Sequence, residues 1–234
     1  MSYNNNYNTN YQNPQIVNYA ATDAQAEFYR KTYTHVALAL LAFIKTYHVF
    51  RFKEFLNLLV NNKYIIIFNK KERSGVLFTF LLLLVQGGIL SVAIWLLLEF
   101  FAIKISFYNI PQQYLVMLGV GLFIFLKFIF QRFVSYVFDF DTFSRSYLFI
   151  RLSYSNYAAF VLVFLLFLNI YATGNNIYLL AFSLVIFFYI QILGVISFAK
   201  LYKNEIKQYW YYFILYLCTF EIAPYIFVNY LIIS

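Results

Sequence analysis

GVLFTFLLLLVQGGILSVAIWLLLEFFAI, residues 75–103, carries no charge until Glu99. A helix rising 1.5 Å per residue needs about 20 apolar residues to cross a hydrocarbon core about 30 Å thick, and this stretch is longer than that. Inside lipid no water satisfies the backbone N–H and C=O groups, so a segment of this kind must be helical. The same reasoning applies to residues 114–137, 154–172, 177–199 and 209–233. Five strong spans predict an all-α, polytopic transmembrane helix bundle. The composition agrees: 63% of the 234 residues are apolar and only 11% are charged, against roughly 25% charged in a soluble domain. Phe (30) and Tyr (24) supply rings for packing against acyl chains and for the interfaces.

Ahead of these spans the sequence changes character twice. Residues 1–26 read as a disordered tail, rich in Asn and Tyr, that lacks the aliphatic content to offset ordering entropy. Residues 27–50 contain the apolar decade HVALALLAFI, closed by Lys45. Ten apolar residues are too few to cross, so the segment spans only if it continues through His48 to Phe50; otherwise it is re-entrant. Residues 51–74 form a basic loop. In it Phe52, Phe55, Leu56 and Leu59 recur at helical spacing, opposite Arg51, Lys53, Glu54, Asn57 and Asn61. That stripe predicts an amphipathic helix, lying either in the headgroup plane or over the end of the bundle. Residues 75–234 complete the bundle, giving five or six crossings in all.

Charge fixes the orientation. Lys45, Arg51, Lys53, Lys63, Lys70, Lys71 and Arg73 precede the first strong span. Arg132, Arg145 and Arg151 gather at the 138–153 connection, and Lys200, Lys203 and Lys207 follow Ala199. The alternate connections, 104–113 and 173–176, hold Lys104 alone. By the positive-inside rule the basic loops are cytoplasmic and the C-terminus is outside, in a multi-pass inner-membrane protein. The net charge of +8 is thereby accounted for by anionic membrane lipids, and no reader motif points to nucleic acid. Cys218 is the single cysteine, so no intrachain disulfide forms. The polar N-terminus has no signal-peptide core, which leaves insertion to the internal spans.

Ionisable and amide side chains inside the spans are the candidate intramembrane polar site, because each costs about 2.5–3.5 kcal/mol at the bilayer centre if it is charged. Glu221 stands three residues before Pro224, whose missing N–H leaves the carbonyl of Phe220 without its helical partner. A carboxyl and a freed carbonyl within one turn can bind a cation or relay a proton; a protonated, hydrogen-bonded Glu221 is the structural alternative. Lys127 is its plausible partner, unless it snorkels. Gln86 beside Gly87 and Gly88, and Gln191 with Gly194 and Ser197, suit close helix packing or a substrate contact. Glu99 is placed to pair with Lys104. Arg151 and Tyr154, with Lys70, Lys71 and Arg73, are candidate lipid-headgroup contacts. Asp139 and Asp141 form a D-x-D pair, a weak signal for a divalent ion held with substrate phosphates. No H-E-x-x-H, G-x-S-x-G or Gly-rich phosphate loop occurs, and His35 and His48 are the only histidines. No catalytic residue, metal site or cofactor is assigned.

RFKEFLNLLVNNKYIIIFNKK (51–71), LFTFLLLLVQ (77–86), RLSYSNY (151–157) and YFILYLCTFEIAPYIF (212–227) resemble an uncharacterised Bacteroidetes membrane family, domain of unknown function 4271. The resemblance covers about 51–234 and implies a six-span inner-membrane protein without an established activity. The first 44 residues, with FYRKTYTHVALALLAF at 28–43, are similar instead to the start of bacterial Bax inhibitor-like (YccA-type) proteins. A junction near Lys45, natural or artificial, would account for the short first span. Three roles follow as expectations. The first is a non-enzymatic component or scaffold of an envelope assembly, with lipids and other membrane proteins as partners. The second is an ion- or proton-coupled transporter or leak channel using Glu221. The third is an intramembrane lipid-modifying enzyme using Asp139 and Asp141.

Overall fold

The computed structural model describes residues 23–61, 63–69, 76–103, 110–137 and 141–203. Among these the elements are all helices: α1 (Asp23–Tyr47), α2 (Val49–Leu56), α3 (Lys63–Asn69), α4 (Val76–Phe100), α5 (Gln112–Val137), α6 (Asp141–Tyr171) and α7 (Ile177–Leu201). Four helices are long and apolar enough to cross a membrane, over Leu77–Phe100, Gln112–Ile129, Arg145–Tyr171 and Ile177–Leu201. The expected last span, 209–233, lies outside the described residues, as does the tail up to residue 22.

Burial decides which helices are central. Half of the α4 span (50%) and of the α6 span (56%) is buried, against 17% for α5 and 28% for α7. α6 and α7 pair as a tight antiparallel hairpin because their connection is short and chemically suited to a turn. Gly174 and Asn175 take left-handed backbone angles (φ 62° and 68°), which glycine and asparagine tolerate best. Asn176 then caps α7, its side-chain oxygen accepting the N–H of Tyr178 at 2.9 Å. Further along, Gly194 lets the two helices touch: a Cβ placed there would lie 2.8 Å from the Cβ of Tyr154. Tyr147 and Phe198, both fully buried, close the far end of the hairpin edge to face, 5.0 Å apart.

Two boundaries differ from the sequence reading. The 138–153 connection is helical from Asp141 onward, so Arg145 and Arg151 stand on α6 rather than in a loop. Hydropathy falls where arginines occur, but Tyr147 and Ile150 are wholly buried and carry the helix on. The first segment is likewise one unbroken helix through Lys45, ending only at Tyr47.

α1 runs antiparallel to α4 along its length. Near its start, Arg30 Nη1 meets Glu99 Oε2 at 2.7 Å and its guanidinium lies over Trp95; near its finish, His48 packs edge to face on Phe78. Ala37, Leu41 and Ile44, at helical spacing, are buried between these points. α1 is absent from the four apolar spans because Arg30, Lys31, His35, Lys45 and its threonines and tyrosines lower its hydropathy.

The amphipathic stripe of 51–62 is realised only in part. Phe52 and Phe55 are buried, but Leu56 and Leu59 are exposed and Leu58 is buried instead. Beyond Leu56, where α2 stops, the turn rotates Leu58 inward and ends the 3.6-residue register, which leaves Leu59 outside. Phe55 sits amid rings from three elements: Tyr64 of α3, Phe78 of α4, and Tyr157 and Phe160 of α6. α2 and α3 thus pack on the bundle.

Candidate functional site

One open cleft gathers five polar residues, Gln86, Lys127, Arg151, Ser155 and Gln191, from four spans. Its volume is about 70 Å³, and it is lined by Leu83 and Gln86 of α4, Ile124, Lys127 and Phe128 of α5, Leu148, Arg151, Leu152 and Ser155 of α6, and Gln191 of α7. Gln86, Ser155 and Gln191 each lie about ten residues, or roughly 15 Å, from the Phe78–Arg145–Leu201 end of their spans. The helices bring them level because α4 and α6 run parallel and α7 returns antiparallel.

A chain of hydrogen bonds joins three helices there. Arg151 Nη1 donates to the backbone oxygen of Gln191 at 2.7 Å and to its Oε1 at 3.0 Å. The Gln191 amide is thereby oriented, and its Nε2 donates to Ser155 Oγ at 2.8 Å. Gln86 Nε2 donates to the same hydroxyl at 2.6 Å. Ser155 accepts twice, which leaves its own O–H to donate. Gln86 is buried, and its Oε1 has no hydrogen-bond partner among the described residues; an orphaned acceptor away from water costs about 1–3 kcal/mol. The cleft thus presents two cationic side chains and a hydroxyl, with five apolar side chains alongside and no acidic residue among its described lining. Cations in a low-dielectric surrounding favour an anion strongly, and a guanidinium suits a phosphate.

The candidate residues distribute as follows. Lys127, Gln86, Gln191 and Arg151 meet in the cleft. Tyr154 does not line it: it is buried beneath Gly194, so its packing, not headgroup contact, is what the fold uses. Among the described residues, the glycines beside Gln86 are not sites of close packing. A Cβ at Gly88 would meet nothing within 4 Å, and one at Gly87 would make ordinary contact with Ile124. Ser197 keeps a buried hydroxyl without a partner among the described residues. Glu99 pairs with Arg30, a residue from α1 that sequence proximity could not suggest; Lys104 lies outside the described residues, as do Glu221, Pro224, Asp139, Lys70, Lys71 and Arg73. Sequence reasoning misses Ser155, because a serine in an apolar span carries no distinguishing signal until its neighbours are known.

A second buried cation stands on α2. Arg51 lies over Phe68 at 4.3 Å and Phe78 at 5.8 Å from the ring centroids, an arrangement in which ring faces offset part of the desolvation. Burial pulls its guanidinium below its ordinary value. Burial also pushes the hydroxyl of the adjacent Tyr64 up to about 12, against the opposing pull of Arg51 and a hydrogen bond with Ser153. Among the described residues no group of three or more His, Cys, Asp or Glu side chains is placed to hold a metal ion.

A family model described as a domain of unknown function (DUF4271) matches residues 34–232. The match covers well over half of the chain, and the chain belongs to that family. It takes in residues 34–44 and runs through Lys45 without a break; the likeness of residues 1–44 to Bax inhibitor-like proteins finds no support in it, nor does a junction at Lys45. No curated protein and no solved structure matches.

Proposed function

We propose that this DUF4271 protein is a six-span inner-membrane bundle with its C-terminus outside, that it is a non-enzymatic component of an envelope assembly, and that its cleft holds the phosphate of a membrane lipid. Six crossings are supported by α1, whose contacts with Glu99 at one end of α4 and Phe78 at the other follow that span from end to end. The basic residues clustered at the Phe78–Arg145–Leu201 end support the orientation. The observation that carries the function is the cleft itself. Lys127 and Arg151 converge beside Ser155, while Leu83, Ile124, Phe128, Leu148 and Leu152 supply a wall suited to an acyl chain.

The test is the phospholipid retained per chain after purification of the full protein in a mild detergent. Wild type is expected to keep lipid through extensive washing, and Lys127→Met and Arg151→Met to lose it while remaining folded. Wild type stripped of phosphorus, or variants retaining as much as wild type, refutes the headgroup reading. Topology reporters at Met1 and after Ser234 are expected to report outside. Altered ion flux in proteoliposomes of the same variants would favour the transporter alternative.

A further inference from the structure

α2 and α3 turn one face to the bundle and leave a second apolar face exposed. The inner face is held by rings: Phe52 rests on Phe160, Phe55 lies among Tyr64, Phe78, Tyr157 and Phe160, and Tyr64 stacks on Phe149. On the outer face Val49 and Phe50 of α2, Leu59 and Val60 of the turn, and Ile66 and Ile67 of α3 are exposed, Val60 at 90% and Phe50 at 63%. Two exposed lysines are set among them. At 3.6 residues per turn Lys53 falls between Val49 and Phe50 around α2, and Lys63 between Ile66 and Ile67 around α3. Against them stands Glu54 alone among residues 49–61 and 63–69, and it is half-buried. The level of this face follows from the chain leading into it, since His48, just past the end of α1, packs on Phe78 in the first turn of α4. The face therefore stands where the α4 span enters the hydrocarbon layer. Water suits its apolar residues poorly and the acyl interior suits its lysines poorly; the boundary between the two accommodates both.

We propose that the outer face of α2 and α3 is a docking surface for anionic phospholipid, with Phe50, Val60 and Ile66 seated at the acyl boundary while Lys53 and Lys63 extend along their stems to the headgroup phosphates. The occupant follows from charge complementarity: two cations embedded in an apolar face match a leaflet that offers anions above and hydrocarbon below. The inference rests on the membrane character of the chain and is independent of the cleft. It also joins the two placements that an amphipathic stripe allows, since one face packs on the bundle and the other meets lipid.

The test uses the full chain with Cys218→Ser and one new thiol, Val60→Cys or Ile66→Cys, carrying a fluorescent label. Each protein is placed in nanodiscs of phosphatidylcholine and phosphatidylglycerol, in which one lipid and then the other carries brominated acyl chains that quench on contact. Both labels are expected to be quenched, and more strongly by brominated phosphatidylglycerol than by the same fraction of brominated phosphatidylcholine. A lysine at an anionic surface strengthens association about fivefold, so Lys53→Gln and Lys63→Gln should each lower the relative association of phosphatidylglycerol by about that factor. Labels reached by aqueous iodide and untouched by bromine overturn the docking surface. Labels shielded from both quenchers show that protein, a second copy or another partner, covers the face, which overturns the lipid occupant. Equal quenching by the two lipids, or a preference that both lysine variants leave unchanged, overturns the anionic assignment. Val60 and Ile66 stand on different elements and are read independently, so the test survives the misfolding of either variant.

Discussion

Substituting alanine at Gly194 and, separately, at Gly88 isolates a close contact between α6 and α7. Both glycines are helical, so the gain in helix propensity, about 1 kcal/mol in soluble hosts, enters both variants and cancels in their difference. What remains is steric. At Gly194 the new methyl would stand 2.8 Å from Tyr154 Cβ and 3.0 Å from its Cγ, where carbon atoms prefer about 3.5–4.0 Å. Tyr154 Cβ is tied to the α6 backbone and cannot swing away, so the helices must part by roughly 1 Å. Overpacking of this kind costs about 1–3 kcal/mol. At Gly88 nothing lies within 4 Å among the described residues, and the methyl meets none of them. Gly194→Ala is therefore expected to be about 1–3 kcal/mol less stable than Gly88→Ala, read as the difference in reversible unfolding in a mixed detergent. The same separation stretches the 2.7 Å bond from Arg151 to the Gln191 carbonyl, so Gly194→Ala should also retain less lipid. Equal stabilities, or a Gly88 variant that is the weaker of the two, would show that the helices do not approach at Gly194 and would refute the reasoning.

α4 ends at a non-glycine residue in the left-handed region: Ala102 has φ 53°, while Ile103 N–H reaches Leu98 O at 2.9 Å and Ala102 N–H reaches Glu99 O at 3.1 Å, the hydrogen-bond pair of a Schellman cap. Ala102→Gly is expected to stabilise the fold by about 1 kcal/mol by relieving the Cβ clash, seen as a raised midpoint of thermal unfolding; a lowered midpoint contradicts it. Tyr64 gives a pH signature. Its folded value of about 12 lies above the ordinary value of 10.0, so the unfolded chain releases the proton first. The stabilisation is complete below pH 10 and is lost as pH rises from 10 towards 12, by up to about 2–3 kcal/mol. Wild type minus Tyr64→Phe should show that loss in alkaline unfolding titrations, and a flat difference across the window excludes it.

The four spans common to sequence and structure are legible because hydropathy is local and additive: each segment's transfer from water depends on its own residues, wherever the others lie. Gln86, Lys127, Arg151 and Gln191 stand out for the same reason, since a polar group in lipid is costly in any arrangement. Their meeting is not legible. Periodicity gives each helix a face but not the rotation at which neighbours present those faces, and that depends on packing summed over the bundle. Hence Ser155, the hydroxyl that two glutamines share, carries no mark in the sequence. Arg30 and Glu99 illustrate the same limit at 69 residues' separation. The glycines reverse the lesson: Gly87, Gly88 and Gly194 are equivalent as letters, yet of these three only Gly194 faces a backbone-tethered carbon at contact distance. The sequence determined that this chain is helical and apolar enough for a membrane, because that follows from composition along a line. Only the tertiary structure decided which side chains share a cleft, because that is a property of distances between helices.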